Sequence, residues 1–476
     1  MTEDIWRWGA TEARDRMRAG DVSCTEVVSA SLARIAEDNP SLNAFLTICP
    51  ERALAEARAS DSRRRAGEPL RPLEGVPFAV KDLTDTAGVR TTSGSLAFAD
   101  RIPEADELCV ARLRAAGAIL VGKTNTPEFG FGPRSGNRLR GPTANPYDLG
   151  RSAGGSSGGS AAALAAGLVP LAHGSDFGGS VRTPASFCGI AGLRPTPGLI
   201  PSTSKRLAWN ALSTHGAMAR SAGDAELMLS VMAGYDPRDP LSRPGAPASS
   251  PIGEAAVDRL RIGYSADLGV APMAREVRLA FAGATAALAQ RFSAMEEAAP
   301  DCAGAIEAFA ALRAAVVRHQ YGPMVAEPRG DLSPALVWNS RQGEGLTAAR
   351  LMEAEEDRSR VYTSFMRFFE RYDVLITPAA AVSPFPVEGG DILEIDGVGL
   401  DGPLAYLAIT FIVSLIGLPC LSLPAGSFES GCPFGLQIIA PPNREDRLLA
   451  LARRLESDPR FRHRWPAAPA GAARTS

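Results

Sequence analysis

Apolar residues recur at helical spacing along much of the chain. The clearest case is 22–38, which begins with a capping box, Ser23 followed three residues later by Glu26, and which Asn39-Pro40 is expected to end. The same spacing predicts further helices over 50–66, 106–117, 222–235, 273–297, most of 303–372, and 445–456.

Short apolar runs between these helices predict buried strands. They are GVPFAVKD (75–82), AILVGKTN (118–125), YDVLITPAAA (372–381) and GCPFGLQIIA (431–440). Strands and helices that alternate on this scale favour a sheet covered by helices. We therefore expect an α/β fold.

One uncharged segment is long enough to cross a membrane. It runs over 404–426, but Gly417, Pro419 and Pro424 interrupt its second half, and no Lys or Arg flanks either end. We interpret it as a buried helix that continues into a buried strand, and we expect no membrane partner.

The chain divides into three parts by pattern. Residues 1–70 are expected to form a helical segment that packs on the core, 71–465 a single large domain, and 466–476 a disordered tail. A Pro-, Ser- and Gly-rich stretch over 236–256 resembles a linker or a surface excursion.

Composition excludes several classes of protein. The 476 residues are 45% hydrophobic and 22% charged with a net charge of −3, so no basic surface for nucleic acid is indicated. The seven cysteines show no CxxC spacing, and no two of the four histidines lie at metal-ligand spacing in the sequence. The N-terminus is too charged for a secretory signal. These features argue against a disulfide framework and a zinc site, and they predict a cytoplasmic protein.

Lysine is rare in this chain. Only Lys81, Lys123 and Lys205 occur among 50 basic residues. A buried lysine can lose its proton and act as a base, which arginine cannot do, although three lysines are also consistent with drift. Lys81 leaves an apolar strand and is the strongest candidate base, whereas a structural role is favoured for Lys123.

Two glycine–serine turns follow Lys81. Residues 154–160 (GGSSGGS) stand between structured segments, which argues against a flexible linker, and no Gly-Lys-Ser/Thr follows, which argues against a phosphate loop. Residues 174–180 (GSDFGGS) place glycines before a serine, an arrangement suited to an oxyanion hole. His173 and His215 lack the context of a histidine triad, so a Ser–Lys arrangement is favoured.

Lys81 and the two turns, in this order, resemble the amidase signature family. Similar blocks extend over nearly the whole chain, from about residue 22 to 456. They are GVPFAVKDLTDTAGVRTTSGS (75–95), GKTNTPEFG (122–130), NPYDLGRSAGGSSGGSAAALAAG (145–167), GSDFGGSVRTPASFCGIAGLRPT (174–196), GAMARS (216–221), YDVLITP (372–378), GLPCLSLPAG (417–426) and PFGLQIIA (433–440).

The resemblance implies a fold and a mechanism. The fold is one amidase signature domain with a central mixed, twisted β-sheet and helices on both faces, in which about 236–400 is the variable region that shapes the substrate pocket. Ser180 is the implied nucleophile, Ser156 a bridging serine after a cis peptide bond, and Lys81 the base. The implied oxyanion hole consists of the backbone N–H groups of Phe177, Gly178, Gly179 and Ser180. The implied mechanism needs no metal, nucleotide or other cofactor.

Other residues are expected near this site. Asp176 and Arg182 either pair to hold the loop or form a surface ion pair, and Ser157 either supports the site or caps a helix. Trp209, Tyr321 and Trp338 are candidate pocket walls, with ordinary core or surface positions as the alternative. Ala217 and Ser414 stand where the family commonly has proline and asparagine, which puts local packing in question.

The family leaves several functions open. The leading hypothesis is a stand-alone amidase for small or aryl amides, with esters and carbamates as further substrates. The alternative is the A subunit of a glutamyl-tRNA amidotransferase, which acts with partner proteins. A binding module on an inactive scaffold is disfavoured because all three triad positions are intact. The fatty-acid amide hydrolase type is disfavoured because no N-terminal membrane helix is predicted. A homodimer is left open.

Overall fold

The computed structural model describes residues 5–243, 253–327 and 330–467. Its α-helices are Ala10–Ala19 (α1), Cys24–Leu42 (α2), Pro50–Arg65 (α3), Leu108–Ala115 (α4), Gly158–Ala165 (α5), Arg182–Cys188 (α6), Ala222–Met232 (α7), Glu254–Val257 (α8), Arg275–Ala289 (α9), Ala305–Ala326 (α10), Pro334–Arg341 (α11), Ala348–Arg371 (α12), Ala408–Leu415 (α13) and Glu445–Leu455 (α14). Short 3-10 helices lie at Ile5–Arg7, Leu96–Phe98, Glu128–Gly130, Ala405–Leu407 and Pro459–Phe461.

Most of the strands belong to one sheet. Its strands are Phe45–Ile48 (β1), Pro77–Lys81 (β2), Ile119–Thr124 (β3), Leu171–Asp176 (β8), Ala191–Arg194 (β9), Thr214–Ala219 (β10), Ile262–Tyr264 (β11), Met295–Glu297 (β12), Val374–Pro378 (β13), Cys420–Ser427 (β16) and Pro433–Ile439 (β17). Three two-stranded ribbons lie outside it, formed by Gly136–Asn137 (β4) with Gly141–Pro142 (β5), Ala144–Asn145 (β6) with Asp148–Ser152 (β7), and Glu394–Ile395 (β14) with Val398–Gly399 (β15).

The large sheet is mixed, as predicted. Its order is β1-β3-β2-β8-β10-β9-β16-β17-β13-β11-β12. β2 runs parallel to both neighbours, β3 and β8, and β11 runs parallel to β12 and β13, while the remaining pairs are antiparallel. Helices α5 and α6 pack on each other and on the central strands, and α7 and α14 form a second packed group that also contacts the sheet. The predicted α/β fold, with a central mixed sheet covered by helices, is confirmed.

The uncharged segment lies inside this fold. Residues 408–415 form the fully buried helix α13, and β16 follows it between β9 and β17. The prediction of a buried helix that continues into a buried strand is confirmed. Among the residues that the structure describes, no helix is both long and apolar enough to span a bilayer.

Two predicted helix ends are wrong. α2 continues through Pro40 to Leu42, because Asn39 supports the helix end: its carbonyl accepts the Asn43 N–H and its side chain accepts the Phe45 N–H. The predicted helix over 273–297 stops at Ala289, and 295–297 form an edge strand beside β11. Pairing with the sheet edge there overrides the helical preference of Met295 and the glutamates that follow.

The domain boundaries stay predictions. Within the described part of 1–70, residues 5–70, the structure shows a 3-10 helix, three α-helices and also β1, which joins the edge of the main sheet beside β3. Residues 244–252 of the linker-like stretch and 468–476 of the predicted tail lie outside the described residues. All seven cysteines are free thiols.

Candidate functional site

Lys81 is the last residue of a strand in the centre of the parallel part of the sheet. β2 has parallel neighbours on both sides, so its end is enclosed and the Lys81 side chain is fully buried. Its Nζ donates to Ser156 Oγ at 2.7 Å and to the Ser175 carbonyl at 3.3 Å. Burial lowers the pKa of Lys81 to about 7, although the negative charge of Asp176 opposes this shift.

The carboxylate beside Lys81 in sequence faces elsewhere. Asp82 accepts the backbone N–H of Thr92 at 2.9 Å and the Thr92 hydroxyl at 2.5 Å. The sequence alone leaves open whether neighbouring carboxylates hold the lysine charged. In the structure Asp82 is turned into its own loop, and the lysine is left mainly to the effect of burial.

The first glycine–serine turn places Ser156 against Lys81. The Gly155–Ser156 peptide bond is cis, as the resemblance implies, and Ser156 is 3% exposed. Helix α5 begins two residues later. Ser157 stands at its N-cap position without capping it: its hydroxyl donates to the Ser175 carbonyl at 3.2 Å. The turn is therefore fastened to β8 beside the lysine.

The second turn carries Ser180 between β8 and α6. Gly179 within it has φ +123°, and a Cβ there would lie 2.3 Å from Thr410 Oγ1, so only glycine fits. The Ser157 N–H donates to the Ser180 carbonyl at 3.1 Å and joins the two turns. The Ser180 side chain forms no hydrogen bond with any residue that the structure describes, and it lines the same cavity as Ser156.

The turn offers fewer free backbone donors than the sequence suggests. The Gly179 N–H is used internally, because it donates to Asp176 Oδ1 at 2.8 Å. This corrects the four-donor expectation. The N–H groups of Phe177, Gly178 and Ser180 have no acceptor among the described residues, and these three residues line the cavity whereas Gly179 does not.

Asp176 holds the second glycine–serine turn in place. It is fully buried and receives a two-pronged contact from Arg182, Nε to Oδ2 at 3.0 Å and Nη2 to Oδ1 at 2.9 Å. Arg194 Nη1 adds a bond to the Asp176 carbonyl at 2.5 Å, and Ser414 accepts from Arg182 at 2.6 Å. Burial alone would raise the pKa of Asp176, but the charges of the two arginines and their hydrogen bonds together hold it well below its usual range. The alternative of a surface ion pair is excluded.

Removal of this carboxylate is expected to destabilise the protein. Asp176→Asn leaves the buried Arg182 and Arg194 without their counter-charge, which is expected to lower the free energy of unfolding by about 3–5 kcal/mol. Urea unfolding measures the effect. The control is Glu12→Gln, which removes an exposed ion pair with Arg16 within one helix. This control is expected to change the free energy of unfolding by only about 0.5 kcal/mol. Equal effects of the two variants contradict the assignment.

Lys123 holds a loop and does not reach the serines. Its fully buried Nζ donates to the Thr84 carbonyl, to Thr86 Oγ1 at 2.8 Å and to Thr91 Oγ1 at 3.0 Å. Burial lowers its pKa to about 8. The structural role favoured from the sequence agrees with these contacts.

Two histidines that are distant in sequence meet in the sheet. Antiparallel pairing of β8 with β10 brings His173 Nε2 to 2.9 Å from His215 Nδ1, and the Cys109 thiol lies in the same group, within 4.8 Å. Among the described residues this is the one group of three or more His, Cys, Asp or Glu whose ligand atoms lie this close together. A tetrahedral zinc ion holds two nitrogens roughly 3.3 Å apart, so a direct imidazole–imidazole hydrogen bond explains the pair better than a metal.

Ser156 and Ser180 open into a cavity of about 960 Å³. Among the predicted walls, Tyr321 and Trp338 line it, and Tyr321 packs against the rings of Phe129 and Phe131. Trp209 does not line it. That side chain is 77% exposed in the loop before β10, which corrects the expectation.

Several wall residues escaped the sequence analysis. Phe129 and Phe131 lie in or beside a block that resembles the family, but nothing in the block indicates that it faces the cavity. Phe309 and Arg313 come from α10, one helical turn apart. The one local signal for them is a charged residue within the apolar helical run AFAALRAAVV.

Comparison with known proteins identifies a family for the chain. The profile of the family described as Amidase matches residues 26–449. An acylamidase of Rhodococcus erythropolis is 36% identical over 461 residues, which cover 96% of this chain and 97% of that protein.

Two further matches point in different directions. The A subunit of the glutamyl-tRNA(Gln) amidotransferase of Chloroflexus aggregans is also 36% identical, over 92% of this chain and 93% of its own. Among solved structures, a bacterial aryl acylamidase of the amidase signature family superposes with a TM-score of 0.88 at 27% identity, covering 94% of this chain and 96% of that one.

Proposed function

The chain belongs to the amidase family and is a hydrolase of non-peptide carbon–nitrogen bonds; on that basis we propose that it is a free-standing amidase of small or aryl amides. Esters and carbamates are proposed as further substrates. One observation carries the proposal. A fully buried lysine donates to Ser156 Oγ at 2.7 Å, and Ser156 and Ser180 line one cavity.

The proposed reaction begins with proton transfer. Neutral Lys81 takes a proton from Ser156 Oγ, which takes one from Ser180, and Ser180 Oγ attacks the amide carbonyl carbon. The oxygen of the tetrahedral intermediate accepts the N–H groups of Phe177, Gly178 and Ser180. Asp176 is proposed to hold these groups in place, since it ties down the Gly179 and Val181 N–H groups.

The second half of the reaction reverses these steps. The proton returns through Ser156 to the nitrogen of the leaving amine as the C–N bond breaks, and the acyl group remains on Ser180. Water then gives a proton to the relay and attacks the ester carbon. The bond between that carbon and Ser180 Oγ breaks as the relay returns the proton to Ser180, and the carboxylic acid is released. Lys81, Ser156 and Ser180 supply every proton transfer, so the proposal needs no cofactor. The seven free thiols support a reducing, cytoplasmic setting.

The second candidate is the A subunit of a glutamyl-tRNA amidotransferase, which the equal sequence identity favours. The charges of the cavity favour the first candidate. Glutamine carries an ammonium group, for which a carboxylate is the natural partner. Three carboxylates line the cavity within the described chain: Glu128 is occupied by Ser95 and the Ser333 N–H, and Glu388 and Asp391 are exposed at its rim.

A hydrolysis screen of the purified chain separates the two. Aryl anilides, short aliphatic amides, a p-nitrophenyl ester, an aryl carbamate and glutamine are offered without partner proteins, with Ser180→Ala as the blank. We expect turnover of anilides above the blank. Hydrolysis of glutamine alone, or no hydrolysis until partner proteins are added, contradicts a free-standing amidase and favours the amidotransferase alternative.

A further inference from the structure

Arg313 is a buried cation without an acceptor. Arg313 lies on α10, is only 6% exposed, and lines the same cavity as Ser156 and Ser180. No carboxylate, carbonyl or hydroxyl of the described chain accepts a hydrogen bond from it, and its one electrostatic contact there is with the ring of Phe131, 5.3 Å from the guanidinium carbon. Burial lowers the pKa of Arg313 to about 10.

The other buried or loop-bound cations of the cavity differ in this respect. Arg134 donates to the carbonyls of Pro386 and Gly390, Arg138 to that of Gly330, and Lys205 to that of Asn210. These contacts hold loops of the cavity wall. Arg206 also lines the cavity, but it is exposed, so water can solvate its charge. Arg313 holds no loop, although a buried guanidinium is costly to leave without acceptors. Buried N–H donors that face a cavity and have no acceptor in the protein are typical of a site where a bound ligand supplies the acceptor.

Two neighbours place Arg313 close to the reacting serines. Phe309 lies one helical turn before Arg313 on the same face of α10, so the Cβ atoms of these two residues are roughly 6 Å apart. The tip of the Phe309 ring lies 3.1 Å from the position that a Cβ on Gly178 would occupy, which places this face of α10 beside the second turn. On the other side, Phe131 follows Gly130, whose Cβ position lies 3.4 Å from Ser156 Oγ. Arg313 is therefore reachable by a group a few bonds away from a carbonyl held at Ser180.

From this placement we propose that Arg313 binds a carboxylate of the substrate and that the preferred substrates are amides carrying such a group a few bonds from the scissile carbonyl. This rests on the proposed amidase function and specifies its substrate class. The guanidinium presents paired N–H donors that match the two oxygens of a carboxylate, and lysine cannot reproduce this geometry. The absence of an unoccupied buried carboxylate in the described cavity favours an anion without an adjacent ammonium.

The test compares matched substrates. Succinyl-4-nitroanilide and pentanoyl-4-nitroanilide differ in a carboxylate on the acyl side, and N-acetyl-4-aminobenzoate and 4-methylacetanilide differ in one on the amine side. We expect the wild-type protein to prefer the anionic member of at least one pair in kcat/KM. Arg313→Gln is expected to lower that preference about 10- to 100-fold, mostly through KM, and Arg313→Lys to restore part of it.

The matched control is Arg318→Gln. Arg318 lies on the same helix as Arg313, is half-exposed and pairs with Glu344, so its replacement is expected to leave the preference unchanged. The inference is overturned if neither pair shows a preference, or if Arg318→Gln lowers it as much as Arg313→Gln does.

A binding measurement separates this inference from the proposed function. Calorimetric titration of the same anilides into Ser180→Ala, with and without Arg313→Gln, reports recognition of the anion without any turnover. Tighter binding of the anionic compound that Arg313→Gln removes supports the inference even if no amide is cleaved. Equal binding of both compounds by both variants overturns it even if amides are cleaved.

Discussion

Replacement of Ser180 by alanine is expected to lower kcat/KM about 10⁴-fold or more for any amide that the wild-type protein cleaves. The substitution removes the oxygen that is proposed to form the acyl-enzyme. Since the Ser180 hydroxyl bonds to no described residue, the thermal midpoint is expected to stay unchanged. Steady-state kinetics and a thermal melt of the same preparations measure both effects.

Covalent labelling makes this prediction specific to one atom. A fluorophosphonate is expected to modify the wild-type protein on the peptide that contains Ser180 and to leave Ser180→Ala unlabelled, as read by mass spectrometry. Label on a different serine, or a variant that retains a tenth or so of its activity, contradicts the assignment of Ser180 as the nucleophile.

Replacement of Lys81 by arginine is expected to be nearly as damaging. Arginine keeps the positive charge but cannot lose its proton, so the relay has no base, and a loss of about 10²- to 10⁴-fold in kcat is expected. Lys81→Met, which removes the charge, is expected to lose activity to a similar extent. Substantial activity in Lys81→Arg contradicts the proposed proton relay. It would show that Lys81 only donates a hydrogen bond, a role that another donor can fill.

The pH dependence of the wild-type protein provides a second readout for Lys81. Its pKa is lowered to about 7, so the lysine is protonated and inactive as a base below that pH and neutral above it. We therefore expect kcat/KM to rise with pH and to reach half its plateau near pH 7. A profile that is flat from about pH 5 to about pH 9, or that falls as the pH rises, contradicts a neutral lysine base.

Much of the fold was predictable because its elements are patterned locally. The runs that became β2, β3, β13 and β17 are mainly apolar and bounded by turns, which is how strands buried on both faces appear in sequence. The edge strand over 295–297 was missed for the opposite reason, since three residues with helical preference become a strand only through a neighbour that sequence periodicity does not reveal.

The candidate site shows the same division. Lys81 and the two glycine–serine turns stand out by residue type and order, and the resemblance implied a role for each of them. The occupied N–H of Gly179 was not predictable, because it depends on the direction of the Asp176 carboxylate. Trp209 was misplaced because an aromatic residue in a loop packs inside or points outward according to contacts made by distant segments.

Local sequence was sufficient to specify the alternation of strands and helices, the family resemblance, and the serines and lysine on which the proposed chemistry depends. These are properties of short segments, where spacing and residue type constrain the backbone directly. The three-dimensional contacts were needed to establish the protonation tendency of Lys81, the burial of the Asp176–Arg182 pair and the unpartnered state of Arg313 within the described chain. Each of these depends on which distant segments exclude water from a charged group, because the free energy of a charged group depends on the water and the charges around it.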